Sequence, residues 1–408
     1  MSAGLFNTAA FTQDLARKSF AAYITRLAPA GQSPLFGMTS MMKTETAMQT
    51  EHGYFAKTML FPQLTCSAAG QTAADTLFTV TSTANVVPGT LFRVQSTGEN
   101  ILVNAVVGIT TVAVQRAVGG TAAQAIAANG VLYSIGNAFE EASTRPQSLI
   151  INPVRISNLT QIFRNTWAVS DSVRATQVIA GDTNVAESKQ DCSLFHATDI
   201  EKALFWGQKY QGVRNGQPFR TMDGLIAIVS NIANYPTTYS QTNVFTAGGT
   251  TNYTQLQGFL EPTLNQATDP KTANERVVFC GGTAKRVIND IGRLNGTYYL
   301  QDGQTSYGLQ FSTFKTARGT FRLIEHPLFN SNADWAKMAV VVDLSSFNIA
   351  YLGNRQTKYE TFNQDSDGDA ADNGIDAQGG TLTTECTCLV KNPPANAVIY
   401  GLTAGAQG

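Results

Sequence analysis

From Leu159 the chain alternates: Leu159, Gln161, Phe163, Asn165, Trp167 and Val169 share one parity, and the intervening positions are mostly polar. A period of two is the mark of a strand with one covered face. The surrounding stretch "NPVRISNLTQIFRNTWAVSDSVRATQVIAG" (152–181) has no Pro or Gly between Pro153 and Gly181. Strands usually run about 5–6 residues, and Pro153 to Val169 alone could reach roughly 50 Å at about 3.3 Å per residue. The pattern therefore predicts an extended loop over 138–182, an arm whose aromatic side must find cover somewhere.

Other periods divide the rest. Over 64–137, short alternating runs ("TLFTVTS", "TLFRVQS", "NILVNAVV", "TTVAVQRAV", "GVLYSIG") are separated by turn signals at Pro88–Gly89, Gly98–Glu99–Asn100, Gly119–Gly120 and Asn129–Gly130. Strands at such intervals predict a small β-sandwich or barrel folding as its own module. Residues 183–215 carry the strongest helical pattern, with Leu194, Ala197, Ile200, Ala203 and Leu204 forming one apolar stripe. A helix over 185–211 would span roughly 40 Å at about 1.5 Å per residue, a spine for the fold. Residues 216–350 alternate strands and helices; "ERVVFCGGTAKRVINDIGRL" (275–294) reads strand, Gly281–Gly282 turn, then helix with Ala284, Val287, Ile288 and Ile291 inward. Residues 1–63 form an N-terminal arm with a helix at 11–27, and 351–408 an acidic loop followed by returning strands.

Composition changes the picture in one respect. Only 14% of the 408 residues are charged, against about a quarter in ordinary soluble domains. A surface of Thr, Ser, Asn, Gln, Ala and Gly suits a protein largely covered by copies of itself, or a β-rich protein with an uncharged exterior. The net charge of −1 gives no general attraction to nucleic acid, so DNA would be touched non-specifically. Five cysteines without CxxC spacing imply neither a disulfide framework nor zinc, and Cys386 and Cys388 read as buried thiols on one strand face. The N-terminus lacks a basic leader before an apolar run, and no stretch of about 18 apolar residues predicts a membrane span.

Candidate chemistry is sparse. The three histidines are His52, His196 and His326; the latter two, in a helix and at a strand end, read as structural. No GxSxG elbow occurs. "VVFCGGTAK" matches neither the phosphate-loop nor the dinucleotide pattern and reads as a tight strand-to-helix turn. In "NQDSDGDAADNGID" (363–376), counted from Asp365, Gly368 falls at the fourth position and Asp376 at the twelfth, unlike a calcium loop, so a solvated acidic loop is expected. No catalytic residue, cofactor or metal site is assigned.

The order of parts carries a resemblance. N-terminal arm, extended loop, spine helix, α/β domain and returning strand resemble a tailed-phage major capsid protein of the Hong Kong 97-like α+β fold, in a subgroup with an all-β domain inserted before the extended loop. "NLTQIFRNTWAVS" (158–170) is similar to that subgroup's loop, with Leu159 at a position usually held by tyrosine. "GGTAAQAIAANGVLYSIGNAFEEAS" (119–143) looks like the end of its inserted domain, and "CLVKNPPANAVIYGL" (388–402) like its terminal strand. The resemblance implies a non-enzymatic shell subunit forming pentamers and hexamers of an icosahedral wall around packaged double-stranded DNA. It implies peripheral and axial domains at 183–215 and 216–350, a separate scaffolding protein, a portal, a possible decoration protein, and assembly in the host cytoplasm. Leu159, Phe163 and Trp167 would then pack on a neighbouring subunit, with Arg155, Arg164 and Arg174 as partners for its carboxylates. With no lysine between Lys57 and Lys189, a covalent cross-link through a loop lysine is not expected. The rival readings are an encapsulin-like nanocompartment of the same fold and a β-rich adhesin or tail protein, against which the spine helix argues.

Overall fold

The computed structural model describes all residues except 1–32, 42–43, 58–62, 85, 147, 149–151, 177–183, 231–242, 266–269, 295–300, 307–308, 363–376 and 407–408. The helix expected at 11–27 and the acidic loop at 363–376 lie outside the described residues. In chain order come α1 (Pro34–Met41), β1 (Glu45–Ala47), β2 (Glu51–Ala56), β3 (Gln63–Thr65), β4 (Leu77–Thr79), β5 (Thr90–Val94), β6 (Asn100–Gly108), β7 (Thr111–Gln115) and β8 (Val131–Asn137). There follow β9 (Val154–Leu159), β10 (Gln161–Ser170), α2 (Asp171–Ala175), α3 (Asn184–Trp206), β11 (Tyr210–Arg214), β12 (Gln217–Thr221) and α4 (Leu225–Ser230). The remainder holds β13 (Val244–Thr251), α5 (Tyr253–Leu260), β14 (Glu275–Cys280), α6 (Gly282–Leu294), β15 (Gln301–Ser306), β16 (Leu309–Lys315) and β17 (Thr320–Glu325). Last are β18 (Ala339–Val342), β19 (Phe347–Leu352), β20 (Lys358–Phe362), β21 (Ala377–Val390) and β22 (Ala397–Gly405). The class is α+β.

The chain divides into two units, the smaller covering Phe55–Arg155. Its six strands form an antiparallel sheet in the order β3-β8-β5-β6-β7-β4. The outer strands meet where Ser67 N–H donates to Thr79 C=O and Thr81 N–H to Thr65 C=O, so the sheet closes into a barrel and leaves no open edge to aggregate. Alternate side chains, among them Phe78, Phe92, Ile101 and Val112, fill its interior. The barrel also buries a charge pair: Arg116 Nε and one terminal nitrogen each meet an oxygen of Glu99 at 2.7 Å. Arg116 further donates to the carbonyls of Thr72, Asp75 and Gln124, while Glu99 accepts the N–H groups of Ala117 and Gln124. Burial pushes the Glu99 carboxyl upward, but the Arg116 and backbone hydrogen bonds outweigh it and hold the carboxyl below its usual range. With every lone pair engaged, the pair meets the condition under which a buried ion pair is tolerated.

The larger unit holds two sheets. The seven-stranded one runs β13-β22-β18-β14-β17-β16-β15, with α6 presenting Ala284, Val287, Ile288 and Ile291 to it. The strand–turn–helix expected at 275–294 is present. Gly281 is required there, because a Cβ would lie 2.5 Å from the Ala336 backbone. The second sheet is built on the long β21, which pairs with β10 along one edge and with β20 and β19 along the other; β1 adds in parallel to β19. The spine helix α3 is shorter than its pattern predicts, ending at Trp206 and not near 211. A Cβ on Gly207 would sit 2.6 Å from Met222 O and 3.2 Å from Gly224 N, and Gly224 N–H donates to Gly207 C=O. The chain leaves the helix there because the segment returning after β12 packs against that backbone.

Candidate functional site

The structure gives β10 a different place from the one its pattern suggested. It pairs residue for residue with β21 from Gln161↔Cys386 to Ser170↔Ala377, so the backbone groups along that edge are satisfied within the chain. Its apolar side faces α3: Phe163, 6% exposed, joins the main core, and Trp167, 5% exposed, packs with Val169 and Cys192. Leu159 is buried as well. The assignment of Leu159, Phe163 and Trp167 to contacts with another subunit is therefore corrected. Each side chain is covered by its own molecule, and burial of a large apolar side chain is worth about 1.5–3 kcal/mol wherever the cover comes from. Within the extended loop expected over 138–182, Gln161–Ser170 is a strand paired with β21.

The three arginines are scattered. Arg155 on β9 and Arg164 on β10 are exposed, while Arg174 pairs with Asp171 at 2.6 Å, three residues away on α2.

Where β9 ends and β10 begins, polar side chains tie the segment to its surroundings. Asn158 donates to the carbonyls of Asp223 and Cys388 and accepts from the N–H groups of Asp223 and Leu159, which uses the whole amide. Thr160 donates to the buried Glu385. That carboxylate also meets Arg355 Nε at 2.8 Å and Arg220 at 3.6 Å. Arg220 brings in the hairpin β11–β12. Asn215 (φ 52) and Gly216 (φ 74) form its turn, the left-handed pair of a type I′ hairpin. At its base Lys209 N–H donates to Asp223 and Thr221 Oγ to Gln208 C=O. Sequence reasoning passed over this element, taking 210–211 into the helix; the Asn215–Gly216 dipeptide was the signal that could have found it.

His196 on α3 and His326 after β17 are structural. Asn165 donates its Nδ2 to Asp199, which turns its Oδ1 toward His196 Nδ1 at 2.7 Å. His196 Nδ1 is then the donor, and Nε2 accepts from Thr384 Oγ at 2.7 Å. The order hydroxyl–imidazole–amide is that of a nucleophile relay, but Thr384 is fully buried and no substrate carbonyl could reach it. Burial lowers the His196 pKa, against the raising effect of Asp199, so the ring is neutral. His326 Nδ1 accepts from Leu328 N–H, leaving Nε2 to donate to Glu201 at 2.8 Å. Glu201 also accepts the N–H groups of Leu35 and Phe36 at the start of α1, where a carboxylate complements the helix dipole.

The glycine junction before α6 is filled from within: Gly282 N–H donates to Asn330 Oδ1, whose Nδ2 donates to Glu325. All five cysteines are free and buried, and burial pushes Cys280 and Cys386 up to about 12. Among the described residues no cluster of His, Cys, Asp and Glu could hold a metal, and no helix is long and apolar enough to cross a membrane.

The family model and a curated relative name the same kind of protein. The family model described as SU10 major capsid protein matches residues 5–403. A major capsid protein of Pseudomonas phage PaMx41 is 39% identical over 411 residues, covering 98% of this chain and 96% of the relative. Among solved structures, a chain of Mycobacterium phage Cain aligns over 99% of both chains at 9% identity with a TM-score of 0.47. The holo-SrpI encapsulin complex from Synechococcus elongatus PCC 7942 aligns over 61% of this chain and 77% of its own at 12% identity with a TM-score of 0.41.

Proposed function

Because the chain belongs to the SU10 major capsid protein family, and is thus a structural component of a phage virion and not an enzyme, we propose that it is a Hong Kong 97-like shell subunit whose copies form pentamers and hexamers of an icosahedral wall. On this reading the wall is assembled in the host cytoplasm with a separate scaffolding protein and a portal, can carry a decoration protein, and encloses double-stranded DNA held by no specific contact. The observation that carries it is the match to a phage major capsid protein along nearly the full length of both chains. A near-neutral net charge supports it, since few phosphate contacts would retard packaged DNA. The exposed Arg155 and Arg164, and the Asp171-paired Arg174, remain candidates for carboxylates on neighbouring copies, each worth about 0–1 kcal/mol at an exposed site.

Electron cryo-microscopy of the purified protein tests the proposal. Closed polyhedral particles with five- and six-fold clusters are expected, and particles from infected cells should contain nuclease-protected DNA. A protein that stays monodisperse at high concentration with scaffold present would overturn it, and particles holding an enzyme cargo in place of DNA would support the nanocompartment.

A further inference from the structure

The hairpin β11–β12 forms a sheet of its own, and none of its residues is buried. Its apolar groups lie on both faces. Tyr210 and Phe219 flank Gly212 on one, with ring centroids 6.3 Å apart. Val213 sits opposite Pro218 on the other. Tyr210 is 60% exposed, Val213 75% and Phe219 38%. An isolated two-stranded hairpin is at best marginally stable in water, yet this one is held in one geometry by its type I′ turn and by the bonds of Lys209, Thr221 and Arg220 at its base. A preformed element with uncovered apolar faces loses little freedom when it docks.

We infer that β11–β12 is an assembly surface that docks onto a second copy of this chain. Charge identifies the occupant. Between Glu201 and Asp223 lie Lys202, Lys209, Arg214 and Arg220 and no acid. With the whole chain at −1, the remainder of another copy carries −5, so this basic stretch, of which Arg214 and Arg220 belong to the hairpin, meets a net acidic body. Val213, Pro218, Tyr210 and Phe219 supply apolar contact that a phosphate backbone would not use. The inference rests on the shell reading above, which makes other copies the abundant neighbour.

Because all five native thiols are buried, Val213→Cys places a single reactive thiol on the hairpin. Its alkylation by iodoacetamide is timed in dissociated subunits and in assembled particles. Slowing of roughly tenfold or more in particles is expected, the ratio that a docking free energy of about 1.4 kcal/mol sets. Val213→Asp should leave subunit unfolding unchanged while particle yield falls by a similar factor. Equal alkylation rates in both states, or wild-type yield from Val213→Asp, overturn the inference while wild-type particles leave the shell reading standing. Protection that disappears on nuclease digestion assigns the surface to nucleic acid and also overturns it. Failure of the wild-type protein to form particles removes the shell reading and this inference together.

Discussion

β10 and β11–β12, the strands on either side of α3 in the chain, are opposites in packing. β10 carries Phe163 and Trp167 and is held by β21 along one edge and by α3 over its aromatic face. β11–β12 carries Tyr210, Val213 and Phe219 and is covered on neither face. The alternation that drew attention to the first says that one side of a strand is covered; it is silent about which molecule does the covering. That is decided by β21, more than 200 residues further along the chain, which no local period can name. The element with the stronger aromatic pattern is therefore settled at home, and the one with the weaker pattern stands open to a partner.

The largest effect expected from this contrast is on the stability of the unassembled subunit. Phe163→Ala and Trp167→Ala should each cost about 3–5 kcal/mol, the usual toll for truncating a buried aromatic, measured by denaturant unfolding of dissociated subunits. Val213→Asp should cost close to nothing in the same assay. If Phe163 and Trp167 were covered by another copy instead, their alanine variants would unfold like the wild type and fail only in assembly, and the contrast would vanish.

Glu385 sharpens the comparison because it serves both elements, accepting from Thr160 at the start of β10 and pairing with Arg220 of the hairpin. Glu385→Ala should cost about 2 kcal/mol, less than the 3–5 kcal/mol typical of a broken buried pair, because Arg355 is half-exposed and water can solvate it. Hydrogen exchange should speed up at both 160–163 and 210–221. An effect confined to β10 would mean that Arg220 contributes nothing to holding the hairpin base.

Gly216→Val acts on the hairpin alone. At φ 74 a β-branched residue is strained by about 1–2 kcal/mol. Faster exchange limited to 210–221, with an unchanged global unfolding midpoint, is the expected outcome. A lowered midpoint would show the hairpin to be part of the cooperative body.

What could be read from the sequence follows the same line. The helix face of Ala284, Val287, Ile288 and Ile291 was legible because helical period and a glycine turn are both local. The strands of 64–137 were legible because turns punctuate them. The ends of elements decided at a distance were not: α3 stops at Trp206 because Met222 and Gly224 return against Gly207. Nor were the buried polar ties, since nothing around Glu201 or Glu385 distinguishes a carboxylate that will be enclosed from one on the surface. The hairpin was available from Asn215–Gly216 and was obscured by a helical pattern running up to it.

The smallest effect separates the two regions by pH. His196 locks α3 onto β10 and β21 through Asn165 and Thr384, and burial lowers its pKa in the folded state. The unfolded chain, titrating near about 6.5, therefore binds the proton first. Stability contributed by the neutral ring is complete above that pH and is lost as pH falls through it toward the lower folded value. The carboxylates held below their usual range, Glu45, Glu99 and Asp75, lose their contribution only in more acid solution. Between about pH 6.5 and 5, wild-type subunits should thus lose stability faster than His196→Gln, whose amide has no proton to gain. Alkylation of the Val213→Cys hairpin in dissociated subunits should barely change over the same interval beyond the intrinsic thiol dependence. Parallel pH profiles for wild type and His196→Gln would mean that the acid sensitivity of the spine lies elsewhere.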